Sequence, residues 1–354
     1  MHGLFVGEDL TVIQKIDSRK ISVVIQGPLV HRTKNGHNIS KTIQSLKTHL
    51  PHAEIVLSTW IGQRVPALDG VKVVLSADPG ALVSDLGLVN NVNRQLVSTL
   101  AGLDASTRPY VLKFRSDFLM ADDSIAVILE RDSSKHETSQ IFLERVTTTN
   151  LYVTNHYEYP QLFHASDLVQ FGTRGDILDY WQQPLFTPEQ AFLNHSELSN
   201  YFEKVVFHGG IKLVPEQLLT LGWLKKHQYN LNVKSRHFGN EDLLRTWEHV
   251  LVNNFHVIDH QNSGIVFPSR FTKDQLMAKY NFTAESIWSL RRDLDNGSHI
   301  PNLNKYVRAR YKVLITFTPS HLADVAAANL SQKYPRVHRA LRPLWFPIKK
   351  FFKL

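Results

Sequence analysis

The sequence predicts an α/β fold, with a parallel sheet over its first 120 residues and helices on both faces of it. Three observations carry that expectation. Short runs of β-branched and aliphatic residues recur at 21–25, 54–60, 71–75 and 110–112. Helical patterns fall between them, near residues 38–50 and 90–103. The runs are punctuated by turn residues, Gly27-Pro28 after the first and Asp78-Pro79-Gly80 after the third. Strands that alternate with helices at this spacing bury both faces of a sheet, and short right-handed crossovers keep its strands parallel.

Residues 21–25 (Ile-Ser-Val-Val-Ile) form the first strand, and Gly27-Pro28 forces a turn at its carboxyl end. The following helix takes Asn38 or Ser40 as its cap, turns Ile43, Leu46 and Leu50 inward, and stops before Pro51. Residues 54–60 and 71–75 are the second and third strands. The helix over 90–103 directs Val92, Leu96 and Leu100 inward and carries Arg94 among several amides. Those amides suit a nucleotide or its phosphates, and an exposed amphipathic face is the plainer alternative.

Residues 110–112 read as a buried strand that breaks into Lys113, Arg115 and Asp117. In α/β sheets ligands bind beyond the carboxyl ends of the strands. Cations there suit a diphosphate, and a carboxylate suits a metal ion or a sugar hydroxyl. A solvated strand end with one local ion pair is the alternative.

Beyond Asp117 the alternation is less regular. Residues 122–131 are expected as a helix and 140–146 as a strand opening a second half. His164 and Asp167 lie beside Phe163 and Phe171, a combination that suits sugar hydroxyls and sugar CH faces. Pro215 is a natural first helical residue, which puts Glu216 in the first turn ahead of Leu218, Leu219 and Leu221. A carboxylate held there is a candidate general base, preferred over Glu241 or Asp242; a partner for the helix dipole is the other reading. Residues 256–260 form a late strand ending in Asp259 and His260; His260 could complete a metal site begun by Asp117, although a surface histidine is the preferred reading.

The composition narrows the function. The chain has 354 residues and no cysteine, which excludes disulfides and cysteine-bound metal and fits a cytoplasmic location. Neither a secretory signal nor a run near the roughly 20 apolar residues of a membrane span is present. Both the dinucleotide-binding glycine motif and the P-loop are absent. The formal charge is +8, and the stretch from Lys333 to Leu354 holds seven cations, no acid and interleaved aromatic residues. Such a tail suits an anionic membrane surface. A terminal helix docked on its own domain and a nucleic-acid patch compete with that reading. Nucleic acid is the weakest of the three, because no binding motif accompanies the charge.

Six segments taken in order, 21–29 (ISVVIQGPL), 57–60 (LSTW), 93–103 (NRQLVSTLAGL), 111–118 (VLKFRSDF), 164–172 (HASDLVQFG) and 215–218 (PEQL), resemble the WavE family of lipopolysaccharide-synthesis proteins. The resemblance implies a GT-A-like nucleotide-sugar-binding fold, a Rossmann-like mixed sheet with helices on both faces, and glycosyltransferase activity. It suggests an extension over 1–20, a donor half over 21–120, an acceptor half over 121–267, and a helical, basic C-terminal region over 268–354. Gln26, Gly27, Pro28, Asp78, Arg94, Lys113 and Arg115 would hold the nucleotide-sugar donor. His164 and Asp167 would hold a lipopolysaccharide-core or lipid-linked acceptor, with Glu216 and Asp117 catalytic, at the cytoplasmic face of the inner membrane. Such folds hold Mn²⁺ or Mg²⁺ with an Asp-x-Asp motif. Here the word is Arg115-Ser116-Asp117, so the affinity for a divalent ion should fall. Metal-assisted transfer is still the expected route, with direct neutralisation of the diphosphate by Lys113, Arg115 and Arg94 the alternative. A sugar nucleotidyltransferase and a non-catalytic polysaccharide-assembly protein are the rivals.

Overall fold

The computed structural model describes residues 13–29, 38–84, 87–130, 139–193, 210–272 and 279–313, with 315, 334, 336 and 337. Its elements run β1 (Ile13–Lys15), β2 (Ile21–Gln26), α1 (Ile39–His49), β3 (Glu54–Trp60) and β4 (Val71–Ser76). A small hairpin, β5 (Leu82–Val83) and β6 (Val89–Asn90), leads into α2 (Val92–Ala105) and β7 (Tyr110–Arg115). Short strands β8 (Leu119–Met120) and β9 (Val127–Leu129) precede β10 (Val146–Thr149) and β11 (Gln170–Thr173). Then come α3 (Arg174–Trp181), α4 (Pro188–Ala191), α5 (Pro215–Lys226), α6 (Glu241–Asn254) and β12 (Phe255–Ile258). Then follow β13 (Ile265–Val266), α7 (Ser269–Thr272) and α8 (Ala284–Asp295), and residues 303–313 are again helical.

Seven strands form one mixed sheet in the order β12-β10-β11-β7-β2-β3-β4. Strands β7, β2, β3 and β4 are parallel, as the alternation predicts; β11 runs antiparallel to both β7 and β10. The reversal comes from the long connection between β10 and β11, which returns the chain without a crossover helix.

Strand β2 is buried along its whole length, with Ile21, Val23 and Ile25 on one face and Ser22, Val24 and Gln26 on the other. Val23 and Ile25 pack with Ile43 and Leu46 of α1, while Val24 packs with Leu96 and Leu103 of α2 on the opposite face. The α2 face also takes Trp181, Trp223 and Trp247, all fully buried. Of the two expected caps for α1 it is Asn38 that accepts from the Lys41 amide, and Pro215 opens α5 as expected; Asn240 caps α6 by accepting from the Leu243 amide.

Gly102 of α2 fixes the spacing between helix and sheet, because a Cβ there would run into Val24 Cγ1. We expect Gly102→Leu to lower the unfolding free energy by about 3 kcal/mol, the upper end of ordinary overpacking costs. Urea denaturation measures this, and an unchanged midpoint would mean that α2 slides freely over β2.

Three expectations are corrected. The helix over 122–131 is absent: the Asp122 carboxylate accepts the Ser124 amide in a tight turn, and β9 pairs with β1 instead. Ile125, Ala126, Ile128 and Leu129 are all buried, a nearly continuous apolar run with no polar face for a helix to expose. The strand over 140–146 begins only at Val146. Side chains take the preceding amides, Ile141 and Phe142 donating to Asn254 Oδ1, and Leu143 and Glu144 to the Asp176 carboxylate. Finally, the 110–112 strand continues to Arg115, so Lys113 is an interior strand residue and not a cation past the strand end.

The segment after β13 stays with the sheet. Phe282, Ile287 and Tyr306 belong to the same apolar cluster as Trp247 and Phe255. Among the described residues no helix is long and apolar enough to cross a membrane. The basic tail lies outside the described residues apart from Tyr334, Arg336 and Val337.

Candidate functional site

Because four strands run parallel, their carboxyl ends open on one edge of the sheet, and a cavity of about 1170 Å³ lies there. Gln26, Gly27 and Pro28 enter it from the end of β2, Trp60 from β3, Asp78 from beyond β4, and Arg115 to Asp117 from β7. Asn91, Arg94 and Gln95 of α2 form a second wall, and Phe267, Pro268 and Arg270 a third. The volume suits a ligand of nucleotide-sugar size better than a monosaccharide.

The ends of β2 and β7 are tied together. The Ser116 amide donates to the Gln26 carbonyl at 3.2 Å, and Ser116 Oγ donates to the Pro28 carbonyl at 2.6 Å. Gly27 sits at φ +111°, a conformation that favours glycine and lets the chain turn away at the cavity floor. Gln26 Oε1 accepts from Ser98 Oγ of α2 at 3.1 Å.

On the α2 wall, Arg94 grips Asp78 with two hydrogen bonds of 2.8 Å, and its Nη1 donates to Asn91 Oδ1 at 3.0 Å. The Arg94 hydrogen bonds hold the Asp78 carboxyl below the usual carboxylate range. Gln95 Oε1 is buried without a partner among the described residues, an acceptor available to a ligand donor.

The β7 end carries the strongest charge arrangement. Arg115 Nε donates to Asp117 Oδ1 at 3.0 Å, and Arg270 of α7 donates to Asp117 Oδ2. Both guanidiniums lie on aromatic faces. Arg115 is 5.4 Å from the Phe118 ring centroid and 5.3 Å from that of Phe271, and Arg270 is 4.5 Å from Phe271. Both are held below their ordinary value, chiefly by burial, and Arg270 also by its neighbour Arg115.

These residues do not suit a divalent ion. A metal needs several anionic or neutral oxygen and nitrogen ligands turned towards one point. Asp117 already accepts from a guanidinium at each carboxylate oxygen, and Asp78 is taken by Arg94. Among the described residues no three histidine, aspartate or glutamate side chains could share a metal ion. The ring of His260, offered as a partner of Asp117, has its Nδ1 2.9 Å from Asn150 Oδ1, and His260 does not line the cavity.

Behind Arg115 lies a buried ionisable cluster. Lys113 is 0% exposed, donates to the Asp167 carbonyl, and sits 4.8 Å over the Trp181 ring. Burial pushes its ammonium down to about 7, against the pull of Asp167. Glu216, in the first turn of α5, is pushed up to about 8 by burial and then by Asp167. Its Oε2 is 3.6 Å from His164 Nε2. Burial pushes His164 down to about 4, so the imidazole is neutral near pH 7, and its Nδ1 lies 2.9 Å from Thr154 Oγ1. Asp167 Oδ2 has no hydrogen-bond partner among the described residues.

The cavity thus gathers Gln26, Gly27, Pro28, Asp78, Arg94, Arg115 and Asp117 from the expected site residues, while Lys113, His164, Asp167 and Glu216 form the cluster behind it. Sequence reasoning missed Gln63 and above all Arg270, and had Asn91 only as one of the amides around Arg94. Trp60 was visible only as the last letter of a strand. For Arg270 no local signal existed, since Asp117 lies 153 residues away.

One family description matches the chain: WavE lipopolysaccharide synthesis, over residues 21–316. No curated protein matches it.

Proposed function

The chain belongs to the WavE lipopolysaccharide synthesis family, and from that premise we propose that it is a glycosyltransferase using a nucleotide-sugar donor. The observation that carries the reading is the basic cavity at the carboxyl ends of β2, β3, β4 and β7, the edge where α/β sheets take nucleotides. Trp60 offers the base an apolar face. Gln26, the Arg94–Asp78 pair and Asn91 offer polar contacts to the ribose, and Arg115 and Arg270 face the phosphates.

In this reading the acceptor is a lipopolysaccharide core or another lipid-linked glycan. His164 and Asp167, 1% and 2% exposed, stand behind Glu216, which at 8% is the most exposed of the three and meets the acceptor. Glu216 takes the proton of the acceptor hydroxyl as its oxygen bonds to the anomeric carbon. The bond from that carbon to the phosphate oxygen breaks, and a nucleoside diphosphate leaves with its electron pair. Burial suits Glu216 to this role, because a carboxylate whose proton affinity lies near neutral pH is a stronger base than an ordinary one. The direct scheme inverts the anomeric centre; retention would need no such base. The site of action is the cytoplasmic face of the inner membrane, with the tail from Lys333 to Leu354 drawn to anionic lipid.

A panel of nucleotide sugars, incubated with lipopolysaccharide-core and lipid-linked acceptors, tests this. The expected result is one hexose mass added to the acceptor for each nucleoside diphosphate released. Pyrophosphate exchange without acceptor would instead identify a nucleotidyltransferase. Polysaccharide binding with no turnover by any donor would identify an assembly protein.

A further inference from the structure

The arrangement around Asp117 departs from the way GT-A-like folds manage the charge of their donor. There a carboxylate pair points at a divalent ion, and the ion meets the diphosphate. Here the single carboxylate points at two guanidiniums. We propose that Arg115 and Arg270, bridged by Asp117, neutralise the donor diphosphate in place of a metal, so that donor binding does not require a divalent ion. This rests on the donor reading above and names the chemistry of the same site.

Charge counting favours it. Two guanidiniums and one carboxylate leave a net charge of about +1 beside a cavity where, among the described residues, Arg94 and Asp78 form a neutral pair. A divalent ion on Asp117 would raise that to about +3 and break both arginine contacts. An incoming diphosphate, in contrast, finds a positive site that already exists.

Geometry favours it too. A guanidinium carries five N–H donors in a flat fork that matches phosphate oxygens. Arg270 donates to Asp117 through Nη2, and its side chain is 57% exposed and lines the cavity, so donors remain for a ligand there. Asp117, with a side chain only 9% exposed, sets the spacing of the two forks. Phe118, Phe267 and Phe271 hold their planes: Phe118 lies 4.9 Å from Phe267 and 5.5 Å from Phe271, ring centre to ring centre. Groups fixed in this way need little reorganisation as charge develops on the leaving group. Asp117 is then a positioning residue, and Arg270 a donor-contacting one.

Isothermal calorimetry with UDP, GDP, CDP, ADP and dTDP, first in EDTA and then with Mn²⁺ or Mg²⁺, tests the inference. At least one nucleoside diphosphate should bind in EDTA with an affinity within about threefold of its value with metal. Arg270→Ala should weaken that binding about tenfold or more, the worth of a charge-assisted contact, and metal should not restore it. The matching nucleoside monophosphate should lose less than about threefold, which separates diphosphate contact from general structural damage. Arg270→Lys, which keeps the charge but loses the fork, should fall between wild type and Arg270→Ala.

Binding seen only with metal would overturn this inference and leave the donor reading standing. Wild-type affinity in a normally melting Arg270→Ala protein would overturn it as well. No binding of any nucleoside diphosphate, with or without metal, would remove the donor reading and this inference together.

Discussion

Replacing Glu216 by glutamine should cut glycosyl transfer by about 10²- to 10⁴-fold, the range for loss of a positioned general base. The protein should remain folded, because burial raises the carboxyl to about 8 and the native group is therefore mostly protonated at pH 7. Glutamine reproduces the shape and neutrality of that form. In wild type, kcat/KM should rise with pH through about 8, as the basic form appears, and the glutamine variant should lack that limb.

The same shift has a stability consequence of opposite direction. Between pH 4.5 and about 8 the folded protein holds a proton on Glu216 that the unfolded chain has released. The native state then binds more protons than the unfolded one, so this group's contribution falls as pH rises across the window. Lys113 works the other way higher up. Its folded value of about 7 lies below 10.5, so the unfolded chain binds the extra proton and stability rises between those values. From pH 4.5 to 7 Lys113 is charged in both states, and Glu216→Gln should remove a downward slope there. Full activity in Glu216→Gln, or a rate profile flat through pH 8, would sink the assignment.

Replacing Glu248 by leucine should cost about 3–5 kcal/mol of stability, the usual price of removing one member of a buried charged network. The Glu248 side chain is 0% exposed. Its Oε1 accepts from Tyr157 Oη at 2.6 Å and lies 3.1 Å from His156 Nε2, and its Oε2 lies 2.9 Å from His299 Nε2. Tyr157 Oη in turn accepts the Asn302 amide at 3.0 Å, so one carboxylate ties α6 to the loop before β11 and to the segment after α8. Leucine would strand several of these polar groups at once. Glutamine keeps an acceptor for Tyr157 and should cost less.

Burial alone would raise the Glu248 carboxyl, but hydrogen bonds from His156, Tyr157 and His299 outweigh it and hold it below the usual range. Its contribution is therefore complete above pH 4.5 and is lost as pH falls through the lower folded value. Guanidinium unfolding at pH 7 and pH 4 measures both effects. A leucine variant losing less than about 1 kcal/mol at pH 7 would show that the network is dispensable.

Residues whose role depends on position along one element were legible early. Gln26 to Pro28 and Asp117 follow buried runs, so their place at the sheet edge follows from knowing where each strand stops. Glu216 follows from Pro215, because proline at the first helical position marks where the first turn lies. Lys113 was misplaced for the same reason in reverse. Its charge looked like the end of a strand, whereas the connection between β10 and β11 brings the Asp167 carbonyl to receive its ammonium. The helix over 122–131 failed because side-chain and strand partners claimed its backbone, and the nearly continuous apolar run over 125–129 already lacked a helix's polar face.

The amino-acid order by itself determined the four parallel strands, their intervening helices, the helix caps and the family of the chain. All of these depend on contacts within one element or on local spacing. Only the tertiary structure decided that Arg270 closes on Asp117, that Glu248 holds three segments together, and that Glu216 is buried near Asp167. The physical reason is that periodicity reports which side of an element faces the core. The charge and dielectric around a side chain are set by groups far along the chain, and they exist only once the chain has folded.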